Sequence, residues 1–471
     1  MKGQVKYIGV DDKMAMMKGF SNAFRIPELR KKILITLGLV FVCRLVAQIA
    51  TPGVNLVALG EIVKDIQSSQ NNFFNLFDVF TGGALGQCAI GFLSIWPYIS
   101  AQIVIQLLGS VIPALEKLKR EGETGRQQLA QITRYLTIVL CVVQAWGIAT
   151  ALSHPEMLGI GHPMAGELVI NPGIGFNVMT VICMTTASLF IMWLADQITT
   201  FGIGNGASLI IMINITSRLP QALFALWDRY LGAGNFAEAK YADLAVLVIF
   251  FLLVVLFTVA LTQGVRKVPI HSARRSVMGG ASFGMQQTYM PLRVSFTGVM
   301  PIIFAQPLIQ IPSSLIMRIF PVGSRMHEFA KALQDVGPLY LTVYAVLILF
   351  FTFFWVATQF NAVEISENLK KGSSYIPGIR PGRATAEYLD ALMTKITLIG
   401  GCGLLVVALA PMMLMGGMEV PWVVASFFGG TSLLIIVGVA LDTLRIMESH
   451  LLVRKYEGFL SHGSLRGRGG V

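Results

Sequence analysis

The amino-acid sequence predicts an all-α polytopic membrane protein: ten transmembrane helices in two inverted five-helix halves. Three observations carry that reading. The first is composition. Of 471 residues, 54% are hydrophobic and only 13% charged, against about 25% charged in an ordinary soluble domain. With a mean hydropathy of +0.68, a soluble chain could not cover its own surface. Disorder needs the opposite balance, low hydrophobicity and high charge. The second observation is the recurrence of apolar stretches of the length that crosses a bilayer, about 20 residues. The third is an alternation of Lys- and Arg-rich segments with poor ones, which gives the spans a direction.

In chain order the apolar runs are 33–50, 86–110, 135–153, 176–195, 204–227, 242–263, 294–317, 338–360, 396–415 and 421–441. The fifth is the weakest, because Arg218 interrupts it. Residues 1–32 are hydrophilic and carry eight basic residues, so they read as a cytoplasmic N-terminal segment rather than a cleavable signal peptide. The two halves are 33–235 and 236–441, and 442–471 is a polar tail. An even number of spans puts both termini on one face. Of the 36 Lys and Arg residues, 28 fall on the face that holds the termini, 7 on the other, and Arg44 lies within the first span. A four-to-one bias makes the termini cytoplasmic.

Two features break this regular pattern. Segment 72–83 places Phe73, Phe77 and Phe80 at helical spacing ahead of Gly82 and Gly83, yet is too short to span. It reads either as a re-entrant half-helix, tolerated at membrane depth only inside protein or against water, or as an amphipathic interfacial helix. The other feature is proline. Pro97 lies in span 2, and Pro301, Pro307 and Pro312 lie in span 7, the second span of each half. Five spans is an odd number, so equivalent spans run in opposite directions. Broken helices at matching positions of an inverted repeat mark the functional centre.

Several chemistries are not encoded. Cys43, Cys88, Cys141, Cys183 and Cys402 all sit in apolar runs without metal-ligand or paired spacing, so neither a disulfide framework nor a metal site is expected, and no cofactor. Gly122 to Arg126 lacks the Lys-Ser/Thr of a phosphate loop, and the glycines at 202, 204 and 206 follow no strand. Coupled transporters carry intramembrane carboxylates, and none lies well inside a span: Asp243 stands at the very start of the sixth, and Arg44 is the only charge deep within one. A driving force outside the chain is therefore expected. The net charge of +11 reflects the cytoplasmic loops. Ile95, Ile99, Gln102 and Gln106 fall on one helical face, within about 60°. Glutamine against lipid is costly, so this face should point into the protein. Ile211 and Ile215 repeat the isoleucine spacing in span 5. Ordinary helix packing accounts for such a stripe equally well.

Specific motifs then carry a resemblance. FNLFDVFTGGAL (74–85), WPYISAQIVIQLL (96–108), EGETGRQQLAQITRY (121–135), LVINPG (168–173), MWLADQITTFGIGNGASLII (192–211), PLRVSFTGVMPIIFA (291–305), NLKKGSSYIPGIRPGRATAEYLD (368–390) and GGTSLLIIVGVALD (429–442) occur in the order of the SecY family, over nearly the whole chain. The resemblance implies a clamshell of two inverted halves around an hourglass pore. It implies a plug at 73–83 with Phe73, Phe77, Phe80, Gly82 and Gly83. It implies a constriction ring of Ile95, Ile99, Ile211, Ile215, Ile303 and Ile435, apolar so that a polypeptide of any sequence slides past and water is excluded at rest. It also implies a lateral gate with spans 2 and 7 as facing edges, carrying Pro97, Gln102, Gln106, Pro301, Gln306 and Gln310. The glutamines there are an amide cluster or, alternatively, water-lined pore surface.

By the same resemblance, the cytoplasmic loops 264–293 and 361–395 dock partners. The residues are Arg266, Lys267, Arg274 and Arg275 in the first, and Lys370, Lys371, Arg380 and Arg383 in the second. The positive-inside rule alone also explains any one of these charges. Arg218 departs from the small residues expected at its position. The implied partners are SecE and SecG subunits, the motor ATPase SecA, a ribosome with its nascent chain, signal peptides, unfolded preproteins and membrane lipids. The implied function is a passive protein-conducting channel of the bacterial cytoplasmic membrane. The alternative from the residues is an inverted-repeat secondary transporter or ion channel. An intramembrane enzyme would need a Ser/Asp/His constellation that the spans do not hold.

Overall fold

The computed structural model describes residues 26–55, 58–59, 81–84, 86–153, 169–230, 238–272, 288–321, 323–334, 337–418, 424 and 431–462. Two compact units emerge. The first holds the chain up to Arg218, apart from 71–76, and takes back the chain from Val439. The second is Leu219–Gly438 together with 71–76. The sequence reading put the break between the halves at 235/236.

The first unit opens with α1 (Pro27–Val46), whose proline sits in the first turn, where its missing N–H has no intrahelical partner to lose. After α1 the chain turns back beside residues 88–90. Thr51 donates its N–H and its hydroxyl to the Cys88 carbonyl, at 2.9 and 2.7 Å. A short 3-10 turn at Ile90–Leu93 leads into α2 (Trp96–Val111). The second apolar run, read as one span over 86–110, is thus α-helical only from residue 96. Next come α3 (Pro113–Arg120), α4 (Glu123–Ser153), α5 (Ile174–Phe201) and α6 (Gly206–Thr216).

Within this unit α4 packs on α2 and α5, and α1 packs on α5 and α6. The buried face of α4 explains the close approach. Thr133, Thr137, Cys141, Ala145 and Ala149 recur every fourth residue. Small side chains at that spacing let helix backbones approach where lipid offers no hydrophobic drive. Both threonine hydroxyls donate to the carbonyl four residues back, at 2.8 Å each, so neither is stranded. Arg134 of α4 pairs with Asp196 of α5 at 2.7 Å. The glycine-rich run between α5 and α6 is a tight turn. Gly204 is at φ +86°, the Asn205 side chain accepts from the Ser208 N–H at 3.3 Å, and a side chain at Gly206 would meet the Ala195 carbonyl. No phosphate cradle is needed to account for those glycines.

The second unit contains α7 (Leu219–Tyr230), α8 (Glu238–Gln263), β1 (Val265–Ser272), β2 (Thr288–Arg293), α9 (Met300–Ile319), α10 (Arg325–Gln334), α11 (Pro338–Gln359), α12 (Ala362–Lys371), β3 (Ser374–Tyr375) and α13 (Arg383–Met418). The last helix, α14 (Thr431–His462), passes from this unit into the first. The fifth run, expected as one span, is two helices, α6 and α7, separated at Ser217–Arg218. Within the unit α9 packs on α11, α11 on α13, and α8 on α13. Its core gathers Val254 and Leu261 of α8, Ile302, Ala305 and Ile309 of α9, Tyr344 and Ile348 of α11, and Leu404 and Val407 of α13. Gly400 of α13 lies against the Val294 carbonyl, where any side chain would collide.

The sheet is an addition to the expected all-helical plan. Strands β1 and β2 pair antiparallel from Val265 opposite Arg293 to Ile270 opposite Thr288. Strand β3 joins on the other edge of β1, His271 opposite Tyr375 and Ser272 opposite Ser374. Among the described residues, seven helical stretches are long and apolar enough to cross a membrane: 90–109, 123–153, 174–201, 206–227, 243–263, 338–371 and 383–410. Helices α1, α9 and α14 occupy the other three runs read from the sequence.

Candidate functional site

The expected constriction begins where α2 begins. Ser94, just before it, has φ +47° and ψ −135°, a conformation that a non-glycine residue holds only when its surroundings impose it. Ile95 is the cap residue, at φ −91° and ψ 0°, and Pro97 occupies the first turn. Proline thus starts this helix and does not kink it. Ile95 and Ile99 are buried in one apolar cluster with Cys43 and Val46 of α1, Ile191 of α5 and Leu209 and Ile210 of α6, and Ile211 packs against it. Ile215 is fully buried, and so is Ile435 of α14. Ile303 lies on α9, two residues after Pro301, which begins that helix as Pro97 begins α2. Of the other gate residues, Gln102 is half-buried and Gln106 exposed on α2, while Gln306 and Gln310 lie on α9. The phenylalanines Phe73, Phe77 and Phe80 lie outside the described residues.

Gly82 and Gly83 are described, and they are tightly held. Their φ angles are +69° and +95°. The Gly82 carbonyl accepts from Arg44 Nη2 at 3.2 Å and from Ser217 Oγ at 3.3 Å. Arg44 Nη1 donates to Asn214 Oδ1 at 3.2 Å, and Asn214 Nδ2 donates to Ser94 Oγ at 3.0 Å. Arg218, buried at 8% exposure, faces Gly83, where a Cβ would lie 3.1 Å from its guanidinium carbon. Arg44 and Arg218 stood out in the sequence as the charges within spans. Asn214, Ser94 and Ser217 did not, because a polar residue in an apolar run shows its partner only in three dimensions.

The residues expected to dock partners lie in the second unit. Arg266 and Lys267 are exposed on β1, and Lys370 and Lys371 are exposed at the end of α12. Arg274 and Arg275 lie outside the described residues. Arg380 is exposed between two stiff turns. In the first, the Ile379 N–H donates to the Ile376 carbonyl at 3.1 Å around Pro377 and Gly378, whose φ is +83°. That is a type II arrangement, with proline and glycine at their favoured positions. In the second, Gly382 has φ +102°, its carbonyl accepts from Ser366 Oγ at 2.6 Å, and the Arg380 carbonyl accepts from Thr385 Oγ1 at 2.9 Å. Arg383 pairs with Glu387 at 2.9 Å on the surface of α13. The sequence presented the two loops as separate. The β1–β3 pairing joins them in one body, over Val268, Leu292, Ile376, Leu389 and Met393.

The SecY family model matches residues 89–444. The chain belongs to the SecY family. Among its relatives, the protein translocase subunit SecY of Streptomyces coelicolor is 41% identical over 448 residues, covering 94% of this chain and all of that one. The Thermotoga maritima protein of the same name is 39% identical over 462 residues, 96% of this chain and all of that one. The Escherichia coli protein is 38% identical over 452 residues, 94% and 96% of the two chains. The fold is also that of solved channels. A structure described as that of a protein-conducting channel has a TM-score of 0.59 at 16% identity, covering 91% of this chain and 96% of its own. Sec61 in a canine ribosome–channel complex has a TM-score of 0.56 at 16% identity, with the same coverage. As a SecY-family protein the chain is a multi-pass membrane protein and a protein-translocation channel. Its family is one of channels, not of enzymes.

Proposed function

We propose that this SecY-family chain passes unfolded preproteins across the bacterial cytoplasmic membrane and releases apolar segments sideways into it. Both termini then face the cytoplasm, as the four-to-one bias of basic residues favours. The observation that carries the reading is the gathering of Ile95, Ile99 and Ile211 in one apolar cluster at the broken start of α2. An apolar ring of Ile95, Ile99, Ile211, Ile215, Ile303 and Ile435 offers a passing chain no hydrogen bond to stop at. At rest it excludes water and ions.

The lateral gate uses the two proline-started helices, α2 and α9, with Gln102, Gln106, Gln306 and Gln310 along them. An interhelical amide contact in lipid contributes only about 0.6–2 kcal/mol. An arriving apolar signal segment can replace that. The segment from Phe73 to Gly83 is the plug. SecE and SecG are the partner subunits, and the channel itself is passive. SecA or a translating ribosome supplies the drive from the cytoplasmic side, docking on Arg266, Lys267, Arg274, Arg275, Lys370, Lys371, Arg380 and Arg383. A ribosome is the partner named for the canine Sec61 structure, and a yeast Ssh1 complex on a ribosome shares the fold, with a TM-score of 0.54.

The test is ionic. Serine at Ile95, Ile99, Ile211 and Ile215 together stabilises water in the constriction. The expected result is a standing leak in planar bilayers and export of substrates with weakened signal sequences. Wild-type conductance from a correctly assembled variant would remove the ring assignment.

A further inference from the structure

The polar cluster beside Gly82 and Gly83 has no part in the ring, gate or docking roles. It lies wholly within the first unit and joins four chain segments, at Arg44, Gly82–Gly83, Ser94 and Asn214–Arg218. We propose that Asn214 is a positioning residue. It couples the Gly82–Gly83 turn to the constriction, with Arg44 and Arg218 as a pair of cations that seat the turn. The proposal rests on the channel reading and says which residues set the resting state.

The turn is shaped to meet guanidinium groups. At φ +69° and +95° both positions favour glycine. A side chain at Gly82 would run into the Arg44 guanidinium and lie 3.0 Å from both the Asn214 carbonyl and Ser217 Oγ. At Gly83 it would meet the Arg218 guanidinium at 3.1–3.2 Å.

A chain of hydrogen bonds leads away from the turn. It runs from the Gly82 carbonyl to Arg44, from Arg44 to Asn214, and from Asn214 to Ser94. Asn214 is 5% exposed and Ser94 4%, so water competes weakly for these bonds, and in such surroundings they are stronger than in water. Both ends of the last bond adjoin ring residues: Ser94 precedes Ile95 and Asn214 precedes Ile215. The strained backbone of Ser94 is what a side-chain anchor would hold in place.

Charge sets how firmly the turn is seated. The acceptors of Arg44 are an amide and a backbone carbonyl, both neutral, and the charge of Arg218 acts against that of Arg44. The Gly82 carbonyl, accepting from Arg44, stabilises that cation. When the turn leaves, Arg44 loses an acceptor. Asn214 then feels the change, and through it so do Ser94 and Ile95. Departure of the turn and loosening of the ring become one event.

The experiment uses the assembled channel in planar bilayers and in vesicles. Asn214→Leu, similar in size and unable to hydrogen-bond, should raise resting conductance several-fold. It should raise labelling of Thr81→Cys by a membrane-impermeant maleimide in parallel, measured above the same channel without that cysteine. Asn214→Asp keeps an acceptor for Arg44, lets the Ser94 hydroxyl donate, and adds a charge that draws both arginines in. Its resting conductance and labelling should be at or below wild type. A rise with leucine and none with aspartate at one position is what a merely structural role does not produce. Should Asn214→Leu fail to accumulate, Ser94→Gly takes its place, with the conductance rise expected and labelling near wild type. Leucine and aspartate variants that behave alike, or a silent Ser94→Gly, overturn the coupling while wild-type export stands. A wild-type channel that passes no polypeptide in the same vesicles would instead sink the channel reading itself.

Discussion

Phe92, Pro97, Ile99, Ala101, Gln102, Ile105 and Gln106 of the first half recur in the second as Phe296, Pro301, Ile303, Ala305, Gln306, Ile309 and Gln310, every pair 204 residues apart. The backbone repeats with them. Ser94 and Gly298 both have positive φ, +47° and +60°. The cap residues Ile95 and Val299 share φ −91°, with ψ 0° and −12°. Packing repeats as well. In the first unit α2 packs on α4, α4 on α5 and α1 on α5. In the second, five spans later, α9 packs on α11, α11 on α13 and α8 on α13. What differs is what each scaffold carries. The first unit holds a buried polar cluster against a glycine turn. The second carries a sheet and an exposed basic surface. One packing solution is used twice, and the two units differ in the polar and charged groups attached to it.

The largest expected effect tests the specialised surface of the second half. Arg380 is exposed on a loop stiffened by two proline–glycine turns, and its side chain has no packing role there. A guanidinium held out this way suits a two-pronged contact with a carboxylate or phosphate. Arg380→Glu should abolish motor-driven export into vesicles at unchanged channel level. Arg380→Lys should keep an intermediate rate. Full export by the glutamate variant would remove the docking role, and the basic surface would then distinguish the halves only in charge.

A second prediction concerns the shared part. If α2 and α9 are equivalent gate edges, cysteines paired across them should, once oxidised, block export and membrane insertion alike, and reduction should restore both. Continued transport through the locked channel would mean that the repeated motif serves packing alone. A gentler version is a matched pair, Gln102→Leu and Gln306→Leu. Each removes at most one weak amide contact, about 0.6–2 kcal/mol. Each should shift the signal-sequence requirement in the same direction by similar amounts. Opposite shifts would show that the two positions are not equivalent.

The helices were legible because lipid-facing helices leave near-continuous apolar runs. The run 338–360 became α11, Pro338–Gln359, almost to the residue. Hydropathy stops, however, where the helix leaves lipid. Helix α4 starts at Glu123 rather than 135, α13 at Arg383 rather than 396, and α14 continues to His462. Charged residues carry the helix onward in water without an apolar signal. The sheet was hidden for another reason. Strand β1 carries Arg266, Lys267 and Pro269 in eight residues and pairs with Tyr375 across more than a hundred positions. The repeated motif was written in the sequence, but seven matching positions are too few to stand out among apolar residues until both helix starts are seen in the same conformation. The role of Asn214 required its partners, Arg44 and Ser94, which lie 170 and 120 residues away.

The smallest expected effect separates the two helix starts themselves. Ser94 and Gly298 occupy equivalent positions with positive φ, yet only one is glycine. A non-glycine residue there costs about 1–3 kcal/mol unless its surroundings offset it. At Ser94 they do, since the hydroxyl accepts from Asn214 at 3.0 Å, a bond with a net value of about 0.5–1.5 kcal/mol. At Gly298 nothing lies within 4 Å of where a Cβ would be, so a side chain would be accommodated without collision and without reward. Ser94→Gly should therefore change the thermal midpoint of the detergent-solubilised channel little, because strain relief and the lost hydrogen bond nearly cancel. Gly298→Ser should lower it measurably, by the strain alone. Equal shifts in the two variants would show that the bond to Asn214 does not hold Ser94 in place, and that the first half gains nothing from departing from its twin.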